Sequence, residues 1–324
     1  MRLAACLLFA AATPAAVGAT DSAFTSSTAR TATLAAEPDW TPPRVIASVA
    51  QKAEGGSPGF VRPGSAYHVF AAVQDSGNPP SGVASARADV SAVTSGASSA
   101  ALAAGTYTAF GAAYDRRTAT IYTAGSTLTD GQRTYTVTVA DGVGLTSTST
   151  GHTITIDGRQ PTGTNFGAGN RGTTVGRLEQ GDIMPFDYDE PMDPSSIVSG
   201  WTGTGSATVL VQIVNDDPAN GGRDSLRICR AGASGSPCTP TAGMGYVDLA
   251  SAGWVTANRT FTGSTLTQVD TRLTLTLGTP NVTGGFGTVT GTNMTWYPEA
   301  GAYDRAGNVA RTTTWTEGLA DDDF

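Results

Sequence analysis

Two histidines, one run of acids and a pair of cysteines are the residues whose types and spacing bear on chemistry in this chain. His68 lies inside an alternating apolar run, and His152 lies in a Ser/Thr-rich run just ahead of another. Any Ser-His-Asp triad would have to use one of the two; both are read as ordinary strand residues. The one Gly-x-Ser-x-Gly match is Gly55-Gly56-Ser57-Pro58-Gly59. In a hydrolase elbow the residue after the serine donates its N–H to the oxyanion. Pro58 has no N–H, so the segment is read as a turn. No catalytic residue and no organic cofactor is expected.

The acids Asp182, Asp187, Asp189, Glu190 and Asp193 fall within one short segment. Hard oxygen ligands at a strand-to-turn junction suit calcium, and paired carboxylates can hydrolyse glycosides. The competing reading is a solvated turn with an acid capping a short helical turn after Pro194. Asp216-Asp217 and Asp321 to Asp323 carry the same two readings. No residue is assigned as a metal ligand, and calcium at Asp182–Asp193 stays an open option. Trp201, Trp254, Trp296 and Trp315 would form a sugar-stacking face only if they shared one exposed surface; their spread favours packing. Of the three cysteines, Cys6 falls in the apolar N-terminal segment read as a signal peptide; Cys229 and Cys238 are separated by a Gly/Ser/Pro run, and an even pair in an exported chain suggests a disulfide.

The elements around these residues are short strands. The 324 residues carry a formal net charge of -8, and charged residues make up only 14%, against about 25% in average soluble domains. Lys52 is the only lysine, and the arginines are scattered, so no basic footprint for nucleic acid exists. Period-2 alternation marks Tyr67/Val69/Ala71/Val73, Tyr135/Val137/Val139 and Ile154/Ile156, with a weaker strand at Ala119/Ile121. It recurs at Met184/Phe186/Tyr188, Val209/Val211/Ile213, Leu226/Ile228, Leu273/Leu275/Leu277 and Met294/Trp296. Alternation places one strand face on a core. Pro63-Gly64, Ser81-Gly82, Asp130-Gly131 and Asp141-Gly142 supply turns between the runs.

Residues 1-19 read as a signal peptide: Arg2, then an apolar core around Leu7-Leu8-Phe9, then small residues up to Ala19. The apolar core is too short to span a bilayer, and no transmembrane segment is expected. The expected organisation is an N-terminal arm at 20-39, a first module at 40-157, a second at 158-317 and an acidic tail at 318-324. Both modules end on an Asp followed by a Gly three residues later, Asp141 to Gly144 and Asp304 to Gly307. That spacing is hairpin chemistry: the Asp side chain caps the turn and Gly accepts positive φ.

Tyr303-Asp304-Arg305-Ala306-Gly307-Asn308-Val309 resembles the Asp-x-Ala-Gly-Asn hairpin of bacterial Ig-like repeats. The run from Asp182 through Phe186-Asp187-Tyr188-Asp189-Glu190-Pro191-Met192-Asp193 to Ile197 is similar to the early strand-turn segment of S-layer-type bacterial Ig-like domains. Tyr188 and Asp189 stand there in place of the usual Phe and Ser. The first half, at Ser81-Gly82-Val83-Ala84-Ser85, resembles such repeats more loosely. The resemblance implies an all-β fold of two tandem immunoglobulin-like antiparallel β-sandwiches. It implies a secreted, non-catalytic structural or adhesive surface protein whose partners are other surface proteins, surface polymers or further copies of itself. A secreted carbohydrate-binding module and a carboxylate-dependent glycoside hydrolase are the alternatives.

Overall fold

The computed structural model describes residues 39–54, 56–318 and 323–324. The expected signal peptide, the arm as far as residue 38 and most of the acidic tail lie outside them. Among the described residues the chain is strand and turn. The exceptions are one four-residue helix, α1 (Pro194–Ile197), and one 3-10 turn (Pro218–Asn220). No helix among them is long and apolar enough to cross a membrane.

The first half forms one sheet from β1 (Arg44–Lys52), β2 (Phe60–Val61), β3 (Ala66–Gln74), β4 (Val83–Asp89), β5 (Ala100–Ala109), β6 (Ala112–Thr118), β7 (Tyr122–Thr123), β8 (Gly131–Asp141) and β9 (Thr146–Ile156). Its order is β1-β3-β6-β5-β4-β8-β9-β2, with β7 paired to β3. All pairs are antiparallel except β2 with β9. The sheet curls so that β1 returns beside β9, and its inward faces enclose one core. Tyr67, Val69 and Ala71 on β3, Tyr135, Val137 and Val139 on β8, and Ile154 and Ile156 on β9 are all buried there. These are the alternating residues, and the period of two sends them all to one side. The expected strand at Ala119/Ile121 is absent. β6 ends at Thr118, and Ile121 is exposed. Positions 119–121 instead carry the chain from β6 to β7.

The second half forms a separate sheet from β10 (Gly163–Phe166), β11 (Ile183–Tyr188), β12 (Ser206–Asp217), β13 (Arg223–Gly235), β14 (Cys238–Asp248), β15 (Arg259–Val269), β16 (Arg272–Thr276), β17 (Thr279–Pro280), β18 (Thr295–Tyr297) and β19 (Trp315–Thr316). The order is β10-β11-β16-β15-β12-β13-β14-β18-β19, with β17 on β15. Each of its alternating sets is buried in a second core. Burial of such side chains contributes about 1.5–3 kcal/mol apiece. Trp254 and Trp296 are the largest fully buried residues in that core, and Trp201 joins them at its margin. Phe324 also belongs to it: its ring meets Trp254 edge-on at 5.5 Å. The far end of the acidic stretch therefore packs inward.

Cys229 on β13 and Cys238 on β14 face each other across a hairpin as a disulfide, with Cα atoms 6.3 Å apart and both residues buried. Closing so short a loop contributes about 2–3 kcal/mol. Gln212 on β12 clamps the same hairpin. Its Oε1 accepts from the Cys238 N–H at 2.8 Å, and its Nε2 donates to the Gly235 carbonyl at 2.9 Å.

Candidate metal centres

Two clusters of three acids form where the chain enters each module, leaves its second long strand and turns its last hairpin. The first joins Asp39, just ahead of β1, Asp75, just after β3, and Asp141, the last residue of β8. The second joins Asp157, after β9, Glu190, after β11, and Asp304, in the hairpin whose Tyr303 and Val309 bridge. In each cluster one carboxylate oxygen per residue lies within 4.8 Å of the others. β1 pairs with β3 and β10 pairs with β11, so the two clusters occupy matching places.

Three bonds recur in the two hairpins. The Asp141 N–H donates to the Leu145 carbonyl, the Gly144 N–H donates to the Asp141 carbonyl, and the Leu145 N–H donates to Asp141 Oδ1 at 2.7 Å. The Asp304 N–H donates to the Asn308 carbonyl, the Gly307 N–H to the Asp304 carbonyl, and the Asn308 N–H to Asp304 Oδ1 at 2.8 Å. Gly144 and Gly307 have φ of 91° and 84°, which favours glycine. The repeated Asp-to-Gly spacing is thus one turn built twice.

The clusters differ in how charge and lone pairs are satisfied. In the second, Asn308 Nδ2 donates to Asp304 Oδ2 at 2.8 Å and to the Asp157 carbonyl at 2.9 Å. Arg159 Nε lies 3.5 Å from Glu190 Oε1, and the same guanidinium pairs with Asp189 at 3.1 Å. Lys52 adds positive potential near Asp304, and a side chain at Gly307 would collide with its Nζ. Burial, then the Asp157 and Asp304 carboxylates, pushes the Glu190 carboxyl up to about 8. A carboxyl so placed keeps its proton at neutral pH. Burial likewise raises Asp304 against the hydrogen bonds from Asn308.

This gives a signed pH dependence. A carboxyl whose folded pKa exceeds its unfolded value binds its proton more tightly when folded. Its contribution is complete below the ordinary carboxylate range and is lost as pH rises towards 8. Glu190→Gln fixes the neutral form. Its melting temperature is expected to vary less than that of the parent between pH 5 and 8.5, and to exceed it at pH 8.5. The gain is on the order of 1 kcal/mol, because solvent on the open side of the cluster screens the repulsion. Parallel melting curves across that range would contradict the raised Glu190 carboxyl.

The remaining acids of 182–193 do not gather at one point. Asp182 is buried and shapes a loop, accepting from Arg171 N, Gly172 N and Glu179 N. Asp187 pairs bidentately with Arg272, which holds its carboxyl below the usual range. Asp193 caps α1, accepting from the Ser195 N–H and Oγ. Only Glu190 of that run joins a cluster, with partners distant in sequence. Asp217 caps the 3-10 turn and pairs with Arg227. Sequence reasoning did not single out Asp39 or Asp75. The spacing from Asp39 and Asp75 to Asp141 differs from that of Asp157 and Glu190 to Asp304, so no sequence signal pairs the clusters.

The histidines are strand residues. His68 Nδ1 meets Thr118 Oγ1 at 2.9 Å, His152 Nε2 meets Ser149 Oγ at 3.0 Å, and burial lowers both pKa values. Pro58 and Gly59 form a turn, as expected; Gly55 is outside the described residues. Of the four tryptophans considered for sugar stacking, Trp201, Trp254 and Trp296 are buried and Trp315 is exposed.

A cavity of about 450 Å³ is lined by Ser57, Phe110, Asp193, Ser195, Trp201 and Thr202 among others. Asp193 Oδ2 and Trp201 Nε1 are buried without a hydrogen-bond partner. No protein-family model and no curated protein matches the chain.

Proposed function

We propose that the chain is a secreted, non-catalytic structural or adhesive protein of a bacterial surface, built from two immunoglobulin-like modules in series. The observation that carries this reading is the fastening between the halves. The Asp304–Val309 hairpin of the second half reaches the first through Asn308 Nδ2 to the Asp157 carbonyl, Arg62 Nη1 to the Gly307 carbonyl and the Ser57 N–H to the Arg305 carbonyl. Two cores joined through a pinned connection make a spacer of fixed geometry, which suits display or assembly outside the cell. The signal-like start, the paired cysteines and the Asp-x-Ala-Gly-Asn run support the same reading. Contacts with surface proteins, surface polymers or further copies then fall to sheet edges, by strand addition.

The purified chain is expected to associate with itself or to bind cells or isolated surface polymers. A chain that stays monomeric at high concentration and binds neither would sink the proposal.

A sugar-binding reading is favoured by one feature, the cavity lined by Asp193 and Trp201, each of which carries a buried polar atom without a hydrogen-bond partner. An acceptor and a donor beside an indole suit a hydroxyl-rich ligand. Glycan-array binding abolished by Trp201→Phe would move the assignment there.

A further inference from the structure

We propose that Asp39, Asp75 and Asp141 form a calcium site in the first module. The matching cluster of the second module shows what the first one lacks. There Asn308 donates to the second oxygen of the hairpin aspartate; here Leu145 stands at the equivalent position and has no side-chain donor. Asp141 Oδ1 accepts from the Val143 and Leu145 N–H groups, while its Oδ2 is buried with no hydrogen-bond partner. Asp141 is 3% exposed and Asp39 2% exposed. Two residues after Asp157 stands Arg159, whose guanidinium lies beside Glu190 and pairs with Asp189; two residues after Asp39 stands Thr41, which bears no charge. Among the described residues no Lys or Arg forms an ion pair with Asp39, Asp75 or Asp141.

Three carboxylates converge within 4.8 Å, and an unpartnered buried carboxylate oxygen is costly unless something compensates it. The surrounding backbone fixes the ligands. Asp39 Oδ1 accepts from the Thr41 N–H, and its Oδ2 accepts from the Ser81 N–H and Oγ, each at 2.9 Å. Asp75 accepts from the Gly77 and Gly82 N–H groups at 3.3 and 2.7 Å. A Cβ at Gly77 would run into the Asp39 carboxylate, so glycine there leaves room for the acids to meet. An all-oxygen donor set drawn from three separate loops suits calcium, which accepts irregular coordination, better than magnesium, which demands a small octahedron.

The inference does not depend on the surface role, since cation binding and cell binding are separate readouts. The full chain, stripped with chelator, is melted with and without calcium chloride. Terbium luminescence, excited through tryptophan with Trp40 adjacent in sequence to Asp39, reports occupancy. Calcium about one hundred-fold above its dissociation constant is expected to raise the first-module midpoint by roughly 5–10 °C. Magnesium at the same concentration is expected to give less than half of that.

Asp141→Asn keeps Oδ1 for the turn and replaces Oδ2 with an amide. It is expected to lose the calcium shift and the terbium signal, yet to melt in chelator no lower than the parent. Leu145→Asn is a second route to the same loss, because it copies the Asn308 cap onto Asp141. Glu190→Gln is expected to keep the full calcium shift. An unshifted parent without terbium emission overturns the site. So does a full shift retained by both Asp141→Asn and Leu145→Asn, or a shift lost only in Glu190→Gln. Equal shifts with magnesium overturn the assignment to calcium.

Discussion

Replacing Trp296 with alanine is expected to lower the stability of the second core by about 3–5 kcal/mol, the range for deleting a buried aromatic. Trp296 on β18 is fully buried. Its ring meets Phe186 at 5.1 Å and Tyr188 at 5.3 Å, both edge-on, a geometry that adds to simple area burial. Its Nε1 donates to the Met244 carbonyl at 2.8 Å, so alanine also strands an acceptor on β14. The backbone is shaped to the ring: a Cβ at Gly163 would lie 2.5 Å from it. The gap left behind is therefore walled by β10, β11 and β14, and strands locked in a hydrogen-bonded sheet collapse poorly into a void. Urea unfolding followed by circular dichroism should show the transition of the second half moving to lower denaturant while that of the first half stays in place. A loss below about 1 kcal/mol would mean that the pocket closes over the deletion.

Asp224→Ala is expected to cost a comparable amount by a different route. Asp224 on β13 has no solvent exposure. Its Oδ1 accepts from the Asp216 N–H at 3.0 Å, and its Oδ2 accepts from the Trp254 and Val255 N–H groups at 3.0 and 3.1 Å. Burial raises its carboxyl pKa, and those three donors oppose the rise. Alanine leaves three inward-facing N–H groups without an acceptor, at about 1–3 kcal/mol each where no water reaches them. The sum is reduced where the loop relaxes, giving about 3–4 kcal/mol overall. Asp224→Asn retains one acceptor oxygen and should lose about half as much. Hydrogen exchange gives the specific readout, because the Trp254 and Val255 amides should lose protection before those of β12 do. Unchanged protection there would show that these donors find other partners.

The large alternating residues made most of the strands legible. Leu273, Leu275 and Leu277, like Tyr135, Val137 and Val139, have side chains big enough for a period of two to stand out, and each set is buried. β5 and β6 were not legible, since Ala100–Ala109 is mostly alanine, glycine and threonine. They are held by pairing with each other and with their neighbours on the sheet, which a local pattern does not encode. Ile121 misled because a β-branched residue after an alternating alanine looks like strand, whereas the turn that follows β6 leaves it in solvent. The hairpin aspartates showed in the spacing Asp141–Gly144 and Asp304–Gly307. The clusters themselves did not, because each gathers acids from three points joined only by strand pairing. The acid-rich segment 182–193 drew attention by local density, but there local density reflects capping and ion pairing.

The connection at residues 157–162 has almost no slack. The Asp157 N–H bonds to the Val61 carbonyl, the Gly158 N–H to Asp130 Oδ1, and the Arg311 N–H to the Pro161 carbonyl. Asn308 holds the Asp157 carbonyl from the other side. A bending couple applied to the ends of the described chain therefore does not swivel a free tether; it must first break hydrogen bonds on the flanking modules. Bending stiffness resides in the Asn308 amide and its neighbours. An Asn308→Ala exchange would remove one of these fastenings and leave those from Arg62 to the Gly307 carbonyl and from the Ser57 N–H to the Arg305 carbonyl, so the joint would loosen by degrees and not swing free.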